Sequence, residues 1–172
     1  MSRKKGFSLI ELLIVVAILL IIAAIAIPNL IRARIAANEG SAVSSMRSIM
    51  TAEASYNTSY PNIGYAALLV NLGGSPPCVP TTANACLIDT VLASGTKGGY
   101  FFNAVGGTPT ALGVNTTFAV GAAPTAPNVS GVRRFCGAND NVIHFDLNPG
   151  LTGAVPTATD CANAPFAGQI VQ

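Results

Sequence analysis

Few side chains in this 172-residue sequence have the type and spacing needed for chemistry. The single histidine, His144, has no metal-ligand spacing to any cysteine, and no two cysteines form a Cys-x-x-Cys pair, so a zinc site is disfavoured. The remaining candidate metal ligands are Asp140, His144, Asp146 and Asp160. They lack the regular spacing of a calcium-binding loop. We therefore predict no metal site, no cofactor and no catalytic residues. The protein is accordingly expected not to be an enzyme.

The cysteines are Cys78, Cys86, Cys136 and Cys161. An even number of cysteines in an exported region indicates disulfides formed in an oxidising compartment. Four cysteines allow three pairings, and we favour the sequential one, which joins Cys78 to Cys86 and Cys136 to Cys161. The second bond would close a loop of about 26 residues and stabilise the fold by about 3.5 kcal/mol in the chain-entropy model.

A carboxylate stands near the start of a long apolar run. Residues 7–31 contain three polar side chains, those of Ser8, Glu11 and Asn29. A charged side chain costs about 2.5–3.5 kcal/mol at the centre of a bilayer and less near the interface, so Glu11 is expected to have a partner. The alternative is that its side chain only reaches the lipid headgroups.

The run that follows Glu11 is long enough to cross a membrane. Residues 12–27 are uniformly apolar, and about 20 such residues at 1.5 Å each span a hydrocarbon core of roughly 30 Å. The basic residues that precede the run, Arg3, Lys4 and Lys5, predict a cytoplasmic N-terminus. A buried helix of a soluble protein would rarely lack a polar face for this length.

A cleaved secretory signal is the main competing interpretation, because Ala24, Ile25 and Ala26 resemble a signal-peptidase site. The helical pattern, however, continues well beyond this point. Apolar residues recur at steps of three and four at Ile31, Ile35, Ala42, Val43, Met46, Ile49, Met50 and Ala54. Charged residues lie mostly between them, at Arg32, Arg34, Glu39, Arg47 and Glu53. Pro61 and its polar neighbours end the pattern.

One long helix is therefore predicted over residues 7–57, with residues 7–30 in the membrane and an amphipathic second half. At roughly 75 Å it is too long for a compact domain of this size. Residues 58–172 are expected to form an extracytoplasmic head, on whose sheet the apolar stripe of the second half packs.

The head is predicted to be α+β. Short helical segments are expected at 65–72 and 86–93, and strands at 99–105, 117–120, 132–136 and 142–145. Strands that follow one another so closely favour an antiparallel meander of three or four strands.

The charge pattern argues against nucleic-acid binding. Only 9% of the residues are charged, where a soluble domain has about a quarter. Three of the nine cations, Arg3, Lys4 and Lys5, form the only basic cluster, at the extreme N-terminus. Without residues 1–6, the chain has six Lys and Arg and seven Asp and Glu, which gives a side-chain charge of about −1.

The stretch from Lys4 to Val16, Lys-Lys-Gly-Phe-Ser-Leu-Ile-Glu-Leu-Leu-Ile-Val-Val, resembles the class III signal of type IV prepilins and of the pseudopilins of type II secretion. The resemblance covers residues 4–31, and the head shares only the family's order of helix and then sheet. It implies that a prepilin peptidase removes a leader, residues 1–6, by cutting between Gly6 and Phe7. The same enzyme would then methylate the new amino group of Phe7.

The resemblance further implies a self-assembling subunit of a type IV pilus. Glu11 would be neutralised by the Phe7 amine of a neighbouring copy, and Pro28 would bend or locally unwind the helix. The implied partners are other copies of the chain, the prepilin peptidase and an inner-membrane assembly platform. The precursor would be a single-pass inner-membrane protein, and the mature chain would enter an extracellular fibre.

Two alternatives remain open. A pseudopilin of a type II secretion system, forming a periplasmic pseudopilus, shares the same leader; two disulfides and a weakly charged head favour the pilus. A single-pass enzyme or receptor with an ordinary anchor is the alternative of another class, and the sequence has no site to support it.

Overall fold

The computed structural model of this chain describes residues 8–147 together with Cys161 and Val171. Helix α1 occupies Leu9–Ser59, a 3-10 turn follows at Leu69–Leu72, and a short helix, α2, occupies Thr90–Ala93. The strands are β1 Thr96–Lys97, β2 Tyr100–Pro109, β3 Asn115–Pro124, β4 Arg134–Ala138 and β5 Ile143–Asp146. The predicted α+β layout of one long helix and a small antiparallel sheet is confirmed.

The five strands form one antiparallel meander in the order β1-β2-β3-β4-β5. The longest ladder joins β2 to β3, from Tyr100 opposite Pro124 to Pro109 opposite Asn115. The sheet has one strand more than the three or four expected, because β1 contributes only two residues and no sequence pattern marks so short a strand.

The two long strands extend well beyond their predicted bounds of 99–105 and 117–120. Both contain glycine, at Gly106, Gly107 and Gly121, and both end in proline. Glycine and proline have low strand propensity, so composition alone shortens the prediction. The ladder between the strands compensates for this low propensity, because each strand supplies the other's hydrogen-bond partners.

The predicted helix at 65–72 is wrong over its first half, residues 65–68, which are not helical. Its second half, Leu69–Leu72, forms a 3-10 turn. The reason lies in the backbone donors: Tyr65 N donates to the carbonyl of Asn115, and Ala66 N donates to the Glu53 carboxylate. Both donors are thus used outside a local helix. The predicted turn at 86–93 contains α2, which begins after Asp89, whose side chain accepts from Leu92 N at 2.9 Å.

The core of the head lies between the second half of α1 and one face of the sheet. The helix contributes the buried side chains of Ala42, Met46, Ile49, Met50, Ala52 and Tyr56. The sheet contributes those of Tyr100, Phe102, Ala104, Phe118, Val120, Ala122, Phe135 and Ile143. The predicted packing of the helix stripe on the sheet is therefore observed for most of its residues, although Ile31 and Ala54 are exposed.

The chain divides into two compact units, residues 1–34 and 35–172. The first contains the N-terminal part of α1. The second contains the remainder of α1, the sheet and the intervening loops.

Candidate functional site

The first part of α1 presents an apolar surface with no cover from the described residues. Every large apolar side chain from Leu9 to Ile22 is at least 45% exposed, and Leu30 reaches 70%. The helix has the length and composition to cross a membrane, with a mean hydropathy of 3.3 in its most apolar stretch and none of that stretch buried. Such a surface is stable only in lipid or against other protein surfaces.

Glu11 lies in the first turn of this helix. Its Oε2 accepts a hydrogen bond from the backbone N–H of Ser8 at 2.9 Å. Ser8 precedes the first helical residue, so Glu11 satisfies one of the backbone donors that the start of a helix leaves open. A carboxylate is also favoured there by the positive end of the helix dipole. Glu11 thus has a local role that the sequence interpretation did not include.

The predicted cleavage and methylation residues, Gly6 and Phe7, lie outside the described residues. Pro28 lies inside α1, which is helical on both sides of it. Its ring nitrogen has no hydrogen to donate to the carbonyl of Ala24. The predicted bend or unwinding at Pro28 stays a prediction.

A second group of polar residues fixes α1 to the head, and the sequence interpretation missed it. Glu39 is 5% exposed. Its Oε1 accepts from the backbone N–H groups of Val132 and Arg133 at 2.9 and 3.0 Å, and its Oε2 accepts from Arg133 Nε at 2.7 Å. The neighbouring Asn38 donates its side-chain amide to the carbonyl of Ser130 at 2.8 Å. The loop between β3 and β4 is therefore held to the helix.

Glu53 makes a comparable contact nearer the end of α1, but its carboxylate accepts fewer hydrogen bonds than that of Glu39. Its Oε2 accepts from Ala66 N at 2.8 Å, while Oε1 is buried and has no hydrogen-bond partner among the described residues. Burial raises the pKa of Glu53 to about 7, and the hydrogen bond from Ala66 opposes that rise only in part.

The spacing of these two glutamates could have revealed them. Buried residues follow one stripe of α1 at alternating steps of three and four: Glu39, Ala42, Met46, Ile49, Glu53 and Tyr56. Both carboxylates occupy positions of the stripe that packs on the head. Sequence reasoning assigned them by charge to the positions between the apolar residues, and that assignment was wrong.

The structure joins Cys78 to Cys86 and Cys136 to Cys161, which is the favoured sequential pairing. The Cα atoms are 6.1 Å apart in the first pair and 5.4 Å apart in the second. Cys136 and Cys161 pack with Ala119 in a small cluster separate from the main core.

The weak metal candidates do not converge in the part of the chain that the structure describes. Asp140 Oδ2 lies 3.6 Å from His144 Nε2, whereas Asp146 forms a buried ion pair with Arg134. Asp160 lies outside the described residues. Within those residues no group of three or more potential ligands is found.

Comparison with known proteins defines the class of the N-terminus. Residues 1–27 match the prokaryotic N-terminal methylation motif. The chain therefore carries a prepilin-type N-terminal methylation motif, as the sequence resemblance predicted.

Two curated relatives give the similarity beyond the motif. The type IV major pilin protein PilA of Myxococcus xanthus is 46% identical over 54 residues, which is 31% of this chain and 24% of the relative. The type IV wide pilus major component PilA4 of Thermus thermophilus is 39% identical over 79 residues, 44% of this chain and 60% of the relative. The aligned segments thus span less than two thirds of either relative. No solved structure matches the chain.

Proposed function

We propose that this chain is the precursor of a structural subunit of a type IV pilus. The observation that carries the proposal is the conjunction of a prepilin-type N-terminus with an apolar, exposed helix that continues into a folded head. Cleavage would occur between Gly6 and Phe7, and the amino group of Phe7 would be methylated. Residues 7–30 would hold the subunit in the inner membrane until it is extracted.

Assembly would bury the apolar surface of α1 among the same surfaces of neighbouring copies. Burial of apolar area contributes about 25 cal/mol per Å², but the helix is already solvated by lipid before extraction, so burial alone gives little preference for the fibre. A polar contact that exists only in the fibre is therefore needed. We infer that the Glu11 carboxylate supplies it by pairing with the Phe7 amine of a neighbour.

The local hydrogen bond of Glu11 is compatible with this role. A carboxylate has about four acceptor positions on its two oxygens, and the Ser8 N–H uses one of them. Glu11 can thus cap its own helix and, at the same time, accept a hydrogen bond from the ammonium group of a second subunit. The partners required are other copies of the chain, a prepilin peptidase and an inner-membrane assembly platform.

A pseudopilin of a type II secretion system is the second candidate. It would share the leader, the membrane helix and the Glu11 contact, and it would form a short periplasmic structure. Both relatives described above are named as major pilus components, and this favours the surface fibre.

Shearing of the cell surface distinguishes the two. Fibres that are seen by electron microscopy, and from which mass spectrometry identifies this chain as the major component, are the expected result. A Gly6→Leu variant is the matched control, because an uncut leader keeps the subunit in the membrane and should abolish the fibres. Absence of the wild-type chain from sheared material, with the mature chain confined to the cell envelope, would favour the pseudopilin.

A further inference from the structure

Two arginines directly follow the apolar part of α1. Arg32 and Arg34 are exposed, and no carboxylate of the described residues lies within 4.0 Å of either guanidinium. The cations of the sheet region are different. Each has a carboxylate partner: Lys97 with Asp89, Arg133 with Glu39 and Arg134 with Asp146.

The position of Arg32 and Arg34 matches one boundary of a bilayer. From Glu11 to Arg32 a helix rises about 30 Å at 1.5 Å per residue, which is the thickness of a typical hydrocarbon core. If Glu11 lies at the cytoplasmic boundary, Arg32 lies at the opposite one. Both cations would then lie at the depth of the phosphate groups of the extracytoplasmic leaflet.

The angular spacing of Arg32 and Arg34 favours lipid over a protein partner. A helix with 3.6 residues per turn rotates by 100° at each residue, so Arg32 and Arg34 are separated by about 200° around the helix axis. The two guanidinium groups therefore leave the helix on nearly opposite sides. One neighbouring protein surface can contact only one of these sides, whereas a layer of headgroups surrounds the helix and can bind both.

We propose that Arg32 and Arg34 bind the phosphate groups of anionic phospholipids in the extracytoplasmic leaflet and so set the depth of the unassembled subunit. A guanidinium group donates two parallel N–H bonds to phosphate oxygens, which suits it to this ligand. The inference rests on the proposed membrane insertion of residues 7–30. It adds a site that holds the subunit before extraction and must be released when the subunit enters the fibre.

The test uses the mature chain reconstituted into phosphatidylcholine vesicles containing 30% phosphatidylglycerol. Electron paramagnetic resonance of spin-labelled lipids gives the preference of the protein for phosphatidylglycerol over phosphatidylcholine. We expect a preference of about fivefold for each arginine, since a cation near an anionic surface contributes about 1 kcal/mol. The preference should fall steeply in 1 M salt, where the screening length is about 3 Å.

The R32Q/R34Q variant should lose most of this preference, and R32K/R34K should keep most of it, because lysine retains the charge. Arg47, the next cation along the chain, is exposed and lies in the second compact unit. The R47Q variant is therefore the matched control and should behave as wild type.

An unchanged preference in R32Q/R34Q, or an equal loss in R47Q, would overturn the inference. Resistance of the reconstituted chain to alkaline carbonate extraction is measured in parallel. A chain that resists extraction without any lipid preference refutes this inference alone, whereas a chain that is extracted refutes the proposed membrane insertion as well.

Discussion

Glu39 and Glu53 lie on the same buried stripe of α1, but their carboxylates are compensated to very different degrees. Glu39 accepts hydrogen bonds from two backbone N–H groups and from the guanidinium of Arg133. Glu53 accepts one N–H bond and leaves a buried oxygen without a partner among the described residues. A buried carboxylate is stable in ionised form only when hydrogen bonds or cations replace its hydration. Glu39 thus fixes a loop, while the raised pKa of Glu53 leads us to expect that the stability of the head depends on pH.

Because the pKa of Glu53 is raised in the folded chain, we expect stability to fall as the pH rises. Its pKa is about 7 in the folded chain and 4.5 in the unfolded chain, so between these values the folded state binds more protons. The free energy of unfolding should therefore decrease by on the order of 3 kcal/mol from pH 4.5 to pH 7.5. Thermal unfolding of the mature chain in detergent, followed by circular dichroism across this range, measures the decrease.

The Glu53→Gln variant isolates this effect, because its amide oxygen still accepts from Ala66 N but does not ionise. Its unfolding temperature should vary less with pH than that of the wild type and should exceed it at pH 7.5. Equal pH dependence of the two proteins would show that another group is responsible.

Replacement of Glu39 should destabilise the head, because three donors lose their acceptor. Glu39→Ala leaves the N–H groups of Val132 and Arg133 and the guanidinium of Arg133 without their acceptor, at a cost of about 3 kcal/mol. Denaturant unfolding of the mature chain measures the loss. Arg47→Ala is the control, since Arg47 is exposed and should change stability by less than about 0.5 kcal/mol. A Glu39→Ala effect no larger than this would contradict the assigned role.

At the scale of the elements, α1 and the meander were predictable because their signals are periodic or continuous. The unbroken apolar run and the steps of three and four define α1 to within two residues of its end at Ser59. The length of β2 and β3 was not predictable, because Gly106, Gly107 and Gly121 acquire strand geometry only through the facing strand. Likewise, only their spacing along α1 distinguishes Glu39 and Glu53 from surface glutamates in the sequence.

The two disulfides close loops of different length, and their pairing is testable. Cys136 is in β4, and its bond to Cys161 ties residue 161 to the sheet. Non-reducing peptide mapping of the mature chain should recover Cys78 linked to Cys86 and Cys136 linked to Cys161. Crossed pairs would refute the connectivity, and free thiols would refute the oxidising compartment.

Loop length predicts which bond contributes more to stability. The sequence separations are 25 and 8 residues, so the chain-entropy model gives about 3.5 kcal/mol for Cys136–Cys161 and about 2.6 kcal/mol for Cys78–Cys86. A Cys161→Ser variant should therefore unfold at a lower denaturant concentration than a Cys86→Ser variant. The reverse order would show that loop entropy does not dominate.

At the scale of the whole molecule, the proposed cleavage reverses the charge asymmetry across the membrane segment. The precursor has Arg3, Lys4 and Lys5 before the segment and Arg32 and Arg34 after it. Positive residues before the segment favour a cytoplasmic N-terminus. Removal of residues 1–6 leaves only the Phe7 amine on that side, once the orientation has been set. The leader would therefore orient the chain in addition to marking it for cleavage.

Processing predicts a defined mature mass. The mature chain should begin at Phe7 and carry one methyl group on its amine. Intact-mass spectrometry of the envelope or fibre form measures both. A start at Ile27, the residue after a signal-peptidase site at Ala24–Ala26, would instead indicate an ordinary secretory signal, and an uncut Met1 would indicate a plain anchor.

Substitution of Glu11 distinguishes an assembling subunit from an anchored one. The choice of variant matters because the carboxylate also accepts a hydrogen bond from Ser8 N. Glu11→Ala removes both the negative charge and the acceptor for the Ser8 N–H, whereas Glu11→Gln removes the charge and keeps the acceptor. Both variants should insert and be cleaved as the wild type is, because Gly6 is unchanged and the helix becomes less polar. If the charge pairs with the Phe7 amine of a neighbour, both should assemble poorly, since each leaves the positive charge of that amine uncompensated. The ratio of sheared-fibre subunit to membrane-bound mature subunit is the measurement, and it should fall at least tenfold for both. A fall for Glu11→Ala alone would assign Glu11 to capping its own helix, and an unchanged ratio for both would show that Glu11 takes no part in assembly.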